Sequence, residues 1–150
     1  MNRLVYIGGS MSNRDGIAKV AAVLRIRGLV PFYDWIMPGE ETDQKWREFS
    51  ERMGETYLDA LESAHAKNVF EFDKRWLDRS DAFVLVLPAG RSAHLEAGYM
   101  IGQGKPVAIL LEEENLRWDV MYRFAGLVTD DATEAASWLD HTLELMRNGG

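Results

Sequence analysis

One glutamate has the surroundings that a nucleophile needs. Glu96 follows the apolar run 82–87, which is broken by Pro88, Ala89 and Gly90. This pattern predicts a strand, a tight turn and then a helix that Ser92 caps and Gly104 ends. Because ligands bind beside the carboxyl ends of parallel strands, we expect this turn at the mouth of a cleft.

The helix dipole favours a carboxylate in the first turns of a helix, so we expect Glu96 to be ionised at neutral pH, as a nucleophile must be. Acids are also common in first turns for structural reasons alone, and the spacing by itself favours that interpretation. Ser92 lacks the G-x-S-x-G elbow of serine hydrolases, which favours its role as a cap.

A second acid, Asp73, lies in the aromatic segment Phe70–Trp76. A carboxyl group among aromatic side chains can have a raised pKa and can donate a proton. Its neighbours Lys74 and Arg75 indicate an exposed acid instead, and composition alone favours that interpretation. Tyr33 and Trp35, in the loop after the second predicted strand, are candidates to cover a flat heterocycle.

The turn after the first predicted strand, YIGGSMSN, is rich in Gly and Ser. It could bind an anion or sugar hydroxyls through backbone N–H groups, and a simple tight turn explains the glycines equally well. The turn lacks both the GK[ST] of a P-loop and G-x-G-x-x-G, so a nucleotide cofactor is weakly supported.

Composition narrows the class of protein. The 150 residues contain no cysteine and carry a net charge of −7, which argues against disulfides, thiol chemistry and general nucleic-acid binding. The three histidines His65, His94 and His141 are far apart, so we expect no metal, and His94 is interpreted as a packing or rim residue. No apolar run is long enough for a membrane span, and we expect a cytoplasmic protein with no cofactor.

Strands alternate with helices along the chain, which predicts one domain over 1–150 with a doubly wound parallel sheet. We expect about five strands in a three-layer, flavodoxin-like or Rossmann-like α/β arrangement. The predicted strands are 4–7, 29–32, 82–87, 107–111 and 127–129. The predicted helices are 14–27, a long one over 43–66 with Trp46 and Tyr57 in the core, a short one over 72–78, one after Ser92 and a last one from Asp130 or Asp131.

Three segments together resemble the nucleoside 2-deoxyribosyltransferases and their N-glycosidase relatives, which act on 2'-deoxynucleoside 5'-monophosphates or CMP. They are YIGGSMSN, FEFDKRWLDRSDAFVLVLP and GRSAHLEAGYMIGQGKPVAIL. The most specific part is E-x-G-Y-x-x-x-x-G-K after an apolar strand, and the D-x-x-x-x-D spacing from Asp73 to Asp78 supports it. The resemblance covers the chain from Leu4 to about Thr129.

The resemblance implies roles for individual residues. Glu96 is similar to the family nucleophile, Asp73 to the aspartate that contacts and helps to protonate the base, and Tyr6 to the tyrosine that orients the nucleophile. The remaining implied positions line the substrate: Gly8 and Ser10 at the sugar, Gly90, Arg91 and Ser92 at its 5' side, and Asp119 and Met121 from a neighbouring subunit. A homodimer or a larger homo-oligomer is therefore expected.

Two positions depart from the family pattern. Gly90 stands where some transferases have an acid, about six residues before the nucleophile, and Ser12 stands nearest the place of the first-turn arginine of the monophosphate hydrolases. Asp119 would repel a phosphate, although Arg91 could compensate for it. These departures lean towards a nucleoside substrate rather than a nucleotide.

The function predicted from the resemblance is an enzyme that transfers a 2-deoxyribosyl group between bases by double displacement at Glu96, with a nucleoside and a free nucleobase as its small-molecule partners. An N-glycosidase that uses the same glutamate is the first alternative. A nucleotide-binding module without turnover is the second, and a flavin- or phosphate-binding α/β domain is a third.

Overall fold

Five parallel strands form a single sheet in the computed structural model, which describes residues 2–39, 41–112, 114 and 117–149. The strands are β1 (Leu4–Gly8), β2 (Val30–Phe32), β3 (Ala82–Val86), β4 (Val107–Leu110) and β5 (Leu127–Thr129). Their order in the sheet is β2-β1-β3-β4-β5. This is the flavodoxin-like order, in which the chain changes direction across the sheet between β1 and β3.

Six α-helices connect and cover the strands in the described ranges. They are α1 (Arg14–Ile26), α2 (Thr42–Arg52), α3 (Tyr57–Leu61), α4 (Ala64–Arg79), α5 (Arg91–Gly102) and α6 (Ala132–Gly149), and 3-10 helices lie at Met11–Asn13, Asp34–Ile36 and Val120–Phe124. No helix in this described part of the chain is both long and apolar enough to span a bilayer.

Alternation along the strands divides the core into two layers. In β1, the side chains of Val5 and Ile7 join the cluster that packs under α1 and α6. Tyr6 points to the other face, where it joins residues of β3, α4 and α5. Because successive side chains of a strand point to opposite faces, this period of two decides which residues can meet α5. The predicted strands and the three-layer arrangement are confirmed.

The prediction of one long helix over 43–66 was wrong. The chain forms α2 and α3 there and then begins α4, because Gly54 after α2 adopts a left-handed backbone with φ +75°. Thr56 then starts α3 with a capping box to Asp59, and Ser63 caps α4. The short helix predicted over 72–78 is the second half of α4. Tyr57, predicted in the core, is 66% exposed.

The start of α5 also differs from the prediction. The N-cap is Gly90 rather than Ser92, and the helix begins at Arg91, two residues earlier than Ser92 would allow. The other end is as predicted: Gly104 has φ +76°, and Lys105 N donates to the Met100 carbonyl at 3.1 Å. These features match the glycine termination of helices, in which the residue after the C-cap turns left-handed.

Candidate active site

Tyr6 lies at the centre of the sheet face that carries α4 and α5. Its ring is fully buried between two other rings, with centroid distances of 5.2 Å to Phe32 and 5.5 Å to Phe83. These contacts hold the phenol in one orientation. Its hydroxyl donates a 2.7 Å hydrogen bond to Oε2 of Glu96. Burial, together with the charges of Glu96 and Asp73, raises the pKa of Tyr6, so the hydroxyl keeps the proton that it donates.

Glu96 lies on the second turn of α5, beside the helix face that packs on the sheet. Ala93, Ala97 and Met100 form that face and are buried, which brings the Glu96 carboxylate over β1. Burial raises its pKa to about 7, although the hydrogen bond from Tyr6 opposes the shift. The expectation of a fully ionised Glu96 at neutral pH was therefore wrong, because desolvation outweighs the helix dipole.

Asp73 reaches the same place from α4. It precedes the buried Leu77 by one helical turn, so both side chains lie on the sheet-facing side of the helix. Trp76 fixes the helix by stacking on Phe32 of β2, with centroids 4.4 Å apart. Burial raises the pKa of Asp73 to about 6. The interpretation of Asp73 as an exposed surface acid is excluded, because the residue is partly buried.

Asp73 and Glu96, which we call the carboxylate pair, interact electrostatically with each other and with Tyr6. Asp73 ionises first, and its charge then raises the pKa of Glu96 further. Around neutral pH, the pair therefore passes through a state with one proton shared between two carboxyl groups. Such a pair offers one group that can attack and one that can donate a proton. In the described ranges, no group of three or more His, Asp or Glu side chains is arranged to hold a metal ion.

The fold itself explains the small residues Gly8 and Ser10 in the turn after β1. A Cβ atom at Gly8 would lie 2.3 Å from Cζ of Phe83, the ring that stacks on Tyr6. Gly8 thus makes room for the aromatic packing that holds Tyr6. Ser10 caps the 3-10 helix that follows, since its Oγ accepts from Ser12 N at 3.3 Å. Their predicted contacts with a sugar remain predictions.

The two aromatic candidates of the loop after β2 lie in different places. Trp35 is partly buried and touches both core clusters, and its Nε1 donates to the Ile7 carbonyl at 2.7 Å, one residue from Tyr6. Tyr33 packs with the α1 layer, where its hydroxyl accepts from Arg25 at 3.2 Å. The structure therefore favours Trp35, and not Tyr33, beside the carboxylate pair.

The other predicted substrate-binding residues surround α5. Gly90, Arg91 and Ser92 are exposed where the helix begins, as expected for the carboxyl-end side of the sheet. Asp119 and Met121 are exposed in the connection between β4 and β5, where Asp119 Oδ1 accepts from Met121 N at 2.9 Å. That connection borders a cavity of about 340 Å³ that includes Asp119 but neither Asp73 nor Glu96.

Sequence reasoning missed the rings that hold Tyr6. Phe32 is the last residue of β2 and Phe83 is the second residue of β3. Both are the register partners of Tyr6, so their side chains lie on the same side of the sheet. The period of two along the strands was available in the sequence. Trp76 was named only as the end of an aromatic segment, although its spacing of three from Asp73 places both on adjoining parts of one helix surface.

Comparisons with known proteins bear on the fold. No family model and no curated protein matches the sequence. Among solved structures, a 2-deoxyribosyltransferase from the psychrotolerant bacterium Bacillus psychrosaccharolyticus superposes with a TM-score of 0.61 and 17% identity, over 91% of this chain and 95% of that one. The CMP N-glycosidase BcmB of Clostridium botulinum gives a TM-score of 0.52 and 15% identity, over 91% of this chain and 98% of that one. The chain therefore shares its fold with these two proteins over nearly its whole length.

Proposed function

We propose that the protein cleaves the N-glycosidic bond of a 2'-deoxynucleoside, with Glu96 as nucleophile, and passes the sugar to another base. The observation that carries this proposal is the carboxylate pair. The Tyr6 hydroxyl holds Glu96 through a 2.7 Å hydrogen bond to Oε2, and the charge of Asp73, on a separate helix, raises the pKa of Glu96. A retaining glycoside cleavage requires one ionised and one protonated carboxyl group, and a pair that holds one proton around neutral pH can supply both. The folds of the two solved enzymes, which their names assign to sugar–base bonds, are consistent with it.

The reactive form of the carboxylate pair holds its one proton on Asp73, and the lower pKa of Asp73 makes this the minor form of the singly protonated pair. In the first step, an oxygen of ionised Glu96 attacks C1' from the face opposite the base. The C1'–N bond breaks, its electron pair leaves with the base, and the proton of Asp73 moves to the base nitrogen. An ester between Glu96 and C1' results. Because Tyr6 donates to Oε2, the free lone pairs of Oε1 make it the attacking oxygen.

In the second step, a nitrogen of another base attacks C1' and displaces Glu96, while ionised Asp73 takes the proton that this nitrogen loses. If water attacks instead, the same residues hydrolyse the bond, and the product is free 2-deoxyribose. Transfer and hydrolysis thus differ in how well the loaded site excludes water. Trp35, anchored beside Tyr6, is the candidate to cover the base and exclude water.

A nucleoside is preferred to its 5'-monophosphate. The acidic groups of the carboxylate pair disfavour a second anion nearby, and the net charge of −7 on the chain also repels a phosphate. Arg91 is the cation at the start of α5, and it is exposed to solvent. An exposed cation is screened and contributes little to holding a phosphate against that charge.

The experiment that tests the proposal is base exchange. The protein is incubated with each 2'-deoxynucleoside and a different free base, and the products are separated by chromatography. We expect a new 2'-deoxynucleoside, and we expect intact-protein mass spectrometry of acid-quenched samples to show one deoxyribosyl group added at Glu96. The Glu96→Ala variant should release no base and form no adduct while remaining folded.

The matched control is Glu71→Gln, which changes an exposed glutamate on α4 and should leave exchange unchanged. Base exchange that persists in Glu96→Ala would refute the assignment. Ligand binding without base release in the unchanged protein would instead indicate a binding module. Base release that yields only free deoxyribose would indicate the N-glycosidase, for which the similarity to an N-glycosidase fold is the specific support.

A homodimer is part of the proposal. Trp118, Val120, Met121 and Phe124 expose between 56% and 91% of their surface within seven residues, and apolar patches of this kind mark interaction surfaces. A second copy is the occupant that we propose, since it would also bring Asp119 and Met121 to a site other than their own. Light scattering on the eluting protein should give twice the chain mass, and Met121→Glu should lower it to the mass of one chain.

A further inference from the structure

His94 joins two segments of the chain that are not otherwise linked by side-chain hydrogen bonds within the described residues. Its Nδ1 lies 2.7 Å from the Gly90 carbonyl oxygen, and its Nε2 lies 2.9 Å from the Tyr122 hydroxyl. The imidazole also stacks on the Tyr122 ring, with centroids 5.8 Å apart and planes 23° apart. The first turn of α5 is thereby joined to the Val120–Phe124 helix.

The chemistry of the partners decides where the protons are. A carbonyl oxygen only accepts, so Nδ1 of His94 must carry a hydrogen and donate it to Gly90. In the neutral imidazole, Nε2 then accepts, and the Tyr122 hydroxyl is the donor. Burial and the nearby Asp119 carboxylate raise the pKa of Tyr122, so this hydroxyl stays protonated. One tautomer satisfies both contacts.

The Gly90 carbonyl accepts two hydrogen bonds, and both come from His94. Gly90 is an N-cap without a side chain, and a Cβ atom built on it would meet no described atom within 4 Å. Its carbonyl accepts from the His94 backbone N at 3.3 Å, which is long, and from the imidazole at 2.7 Å. The bond from the imidazole is therefore the shorter of the two that orient the Gly90 carbonyl before α5.

His94 does not touch the carboxylate pair. It is two residues from Glu96, which places the two side chains on roughly opposite sides of α5. Tyr122, in contrast, packs against the core cluster that contains Tyr6. The connection therefore runs from the packed core through Tyr122 and His94 to the exposed turn, and it avoids the reacting groups.

We propose that His94 is a positioning residue that acts through Gly90, with Tyr122 orienting its ring, and that it sets the place of Arg91 and Ser92 for substrate binding. The proposal rests on the proposed function for its kinetic consequence. Since Tyr6 holds Glu96 independently, the chemical step should survive when the connection is cut. The loss should appear in KM rather than in kcat.

The test is a set of four variants. Tyr122→Phe keeps the ring and deletes the donor, and His94→Leu deletes both contacts. His94→Asn retains an N–H group near the position of Nδ1, so it can still bond Gly90. We expect KM to rise about fivefold in Tyr122→Phe and about tenfold or more in His94→Leu, with kcat within about twofold of the unchanged protein. His94→Asn keeps the Gly90 bond and loses the Tyr122 bond, so its KM should resemble that of Tyr122→Phe and stay below that of His94→Leu.

The fourth variant, His94→Leu with Tyr122→Phe, separates positioning from packing. If Tyr122 acts through His94, the double variant should be no worse than His94→Leu alone. Additive effects, or Asn as harmful as Leu, would overturn the proposal, because they would mean that each residue contributes only packing.

Amide hydrogen exchange gives a readout that needs no turnover. The amide of residue 94, the first of α5 to donate to a backbone carbonyl, should exchange about fivefold faster or more in His94→Leu than in His94→Asn, each relative to its intrinsic rate. If the protein releases no base at all, the proposed function fails while this comparison still tests the positioning. Equal exchange in the two variants would overturn the proposal even in an active enzyme.

Discussion

The hydroxyl of Tyr6 donates to Oε2 of Glu96 at 2.7 Å across 90 positions of the chain. The donor is a phenol buried between two rings on β1, and the acceptor is a carboxylate on the helix that follows β3. The bond therefore spans the place between β1 and β3 at which the chain changes direction across the sheet. It leaves one oxygen of Glu96 free, and it lowers a pKa that burial would otherwise raise further.

Tyr6→Phe should weaken catalysis without loss of the fold. The variant keeps the stacked ring and removes a hydrogen bond to a charged group, which is worth about 1.5–3 kcal/mol. We expect kcat/KM to fall about 10- to 100-fold. Because the lost bond lowers the pKa of Glu96, the alkaline side of the pH–rate profile should also move to higher pH. An unchanged profile would contradict the orienting role of Tyr6.

The pH dependence of base release should be bell-shaped. Below the pKa of Asp73, about 6, both carboxyl groups are protonated and Glu96 cannot attack; above the pKa of Glu96, about 7, both are ionised and no proton remains for the base. The rate should therefore peak at about pH 6.5. Initial rates measured from pH 4.5 to 9 check this, and a rate that stays flat through this range would contradict it.

Asp73→Asn should change the shape of that profile. Without the proton donor, the rate should fall about 100-fold or more, and the decline on the alkaline side should disappear. The acid side should then follow the pKa of Glu96 alone, which should lie below 7 because the Asp73 charge is one cause of its rise. Retention of the alkaline decline in this variant would assign it to another group.

Glu96→Gln should stabilise the protein at alkaline pH. The pKa of Glu96 rises from 4.5 to about 7 on folding, so its ionisation favours the unfolded chain. The cost builds up between about pH 4.5 and 7 and is constant above, where it amounts to about 3 kcal/mol. Urea unfolding should show that gain for Glu96→Gln at pH 8 and none near pH 4, with Glu71→Gln unchanged at both. A gain independent of pH would contradict this origin.

Gly8→Ala should destabilise the fold through Phe83. Its Cβ would lie 2.3 Å from the ring, which must then move in a close-packed layer, at a cost of about 1–3 kcal/mol. Gly102→Ala is the matched control, since a Cβ atom there meets no described atom within 4 Å, and it should be neutral or slightly stabilising. Phe83→Leu should relieve part of the loss in Gly8→Ala. Equal unfolding midpoints for the two alanine variants would contradict the steric explanation.

The strand and helix order followed from local pattern. The apolar runs at 82–87 and 107–111 and the glycine at 104 are each sufficient to place a strand or a helix end, because strand burial and left-handed caps are local requirements. Alternating strands and helices then left a parallel, doubly wound sheet as the simplest arrangement. The break at Gly54 was also present in the sequence, but the helical spacing of apolar residues on both sides of it outweighed that signal.

The site was only partly visible in the sequence. The position of Glu96 after a buried strand and the aromatic surroundings of Asp73 predicted two acids that could take part in catalysis. The family resemblance linked them to Tyr6. That Tyr6 and the two acids meet depends on three elements packing on one sheet face, which no spacing along the chain encodes.

Tertiary structure also decided the electrostatics. The helix dipole, a local property of the chain, predicted an ionised Glu96, whereas burial beside Asp73 raises its pKa to about 7. The tautomer of His94 was undecided until Gly90 and Tyr122 were placed at its two nitrogens. Residue types and their periods thus determined the elements and their order, while solvent exclusion and contacts between distant segments decided protonation and geometry, because both depend on neighbours that only folding supplies.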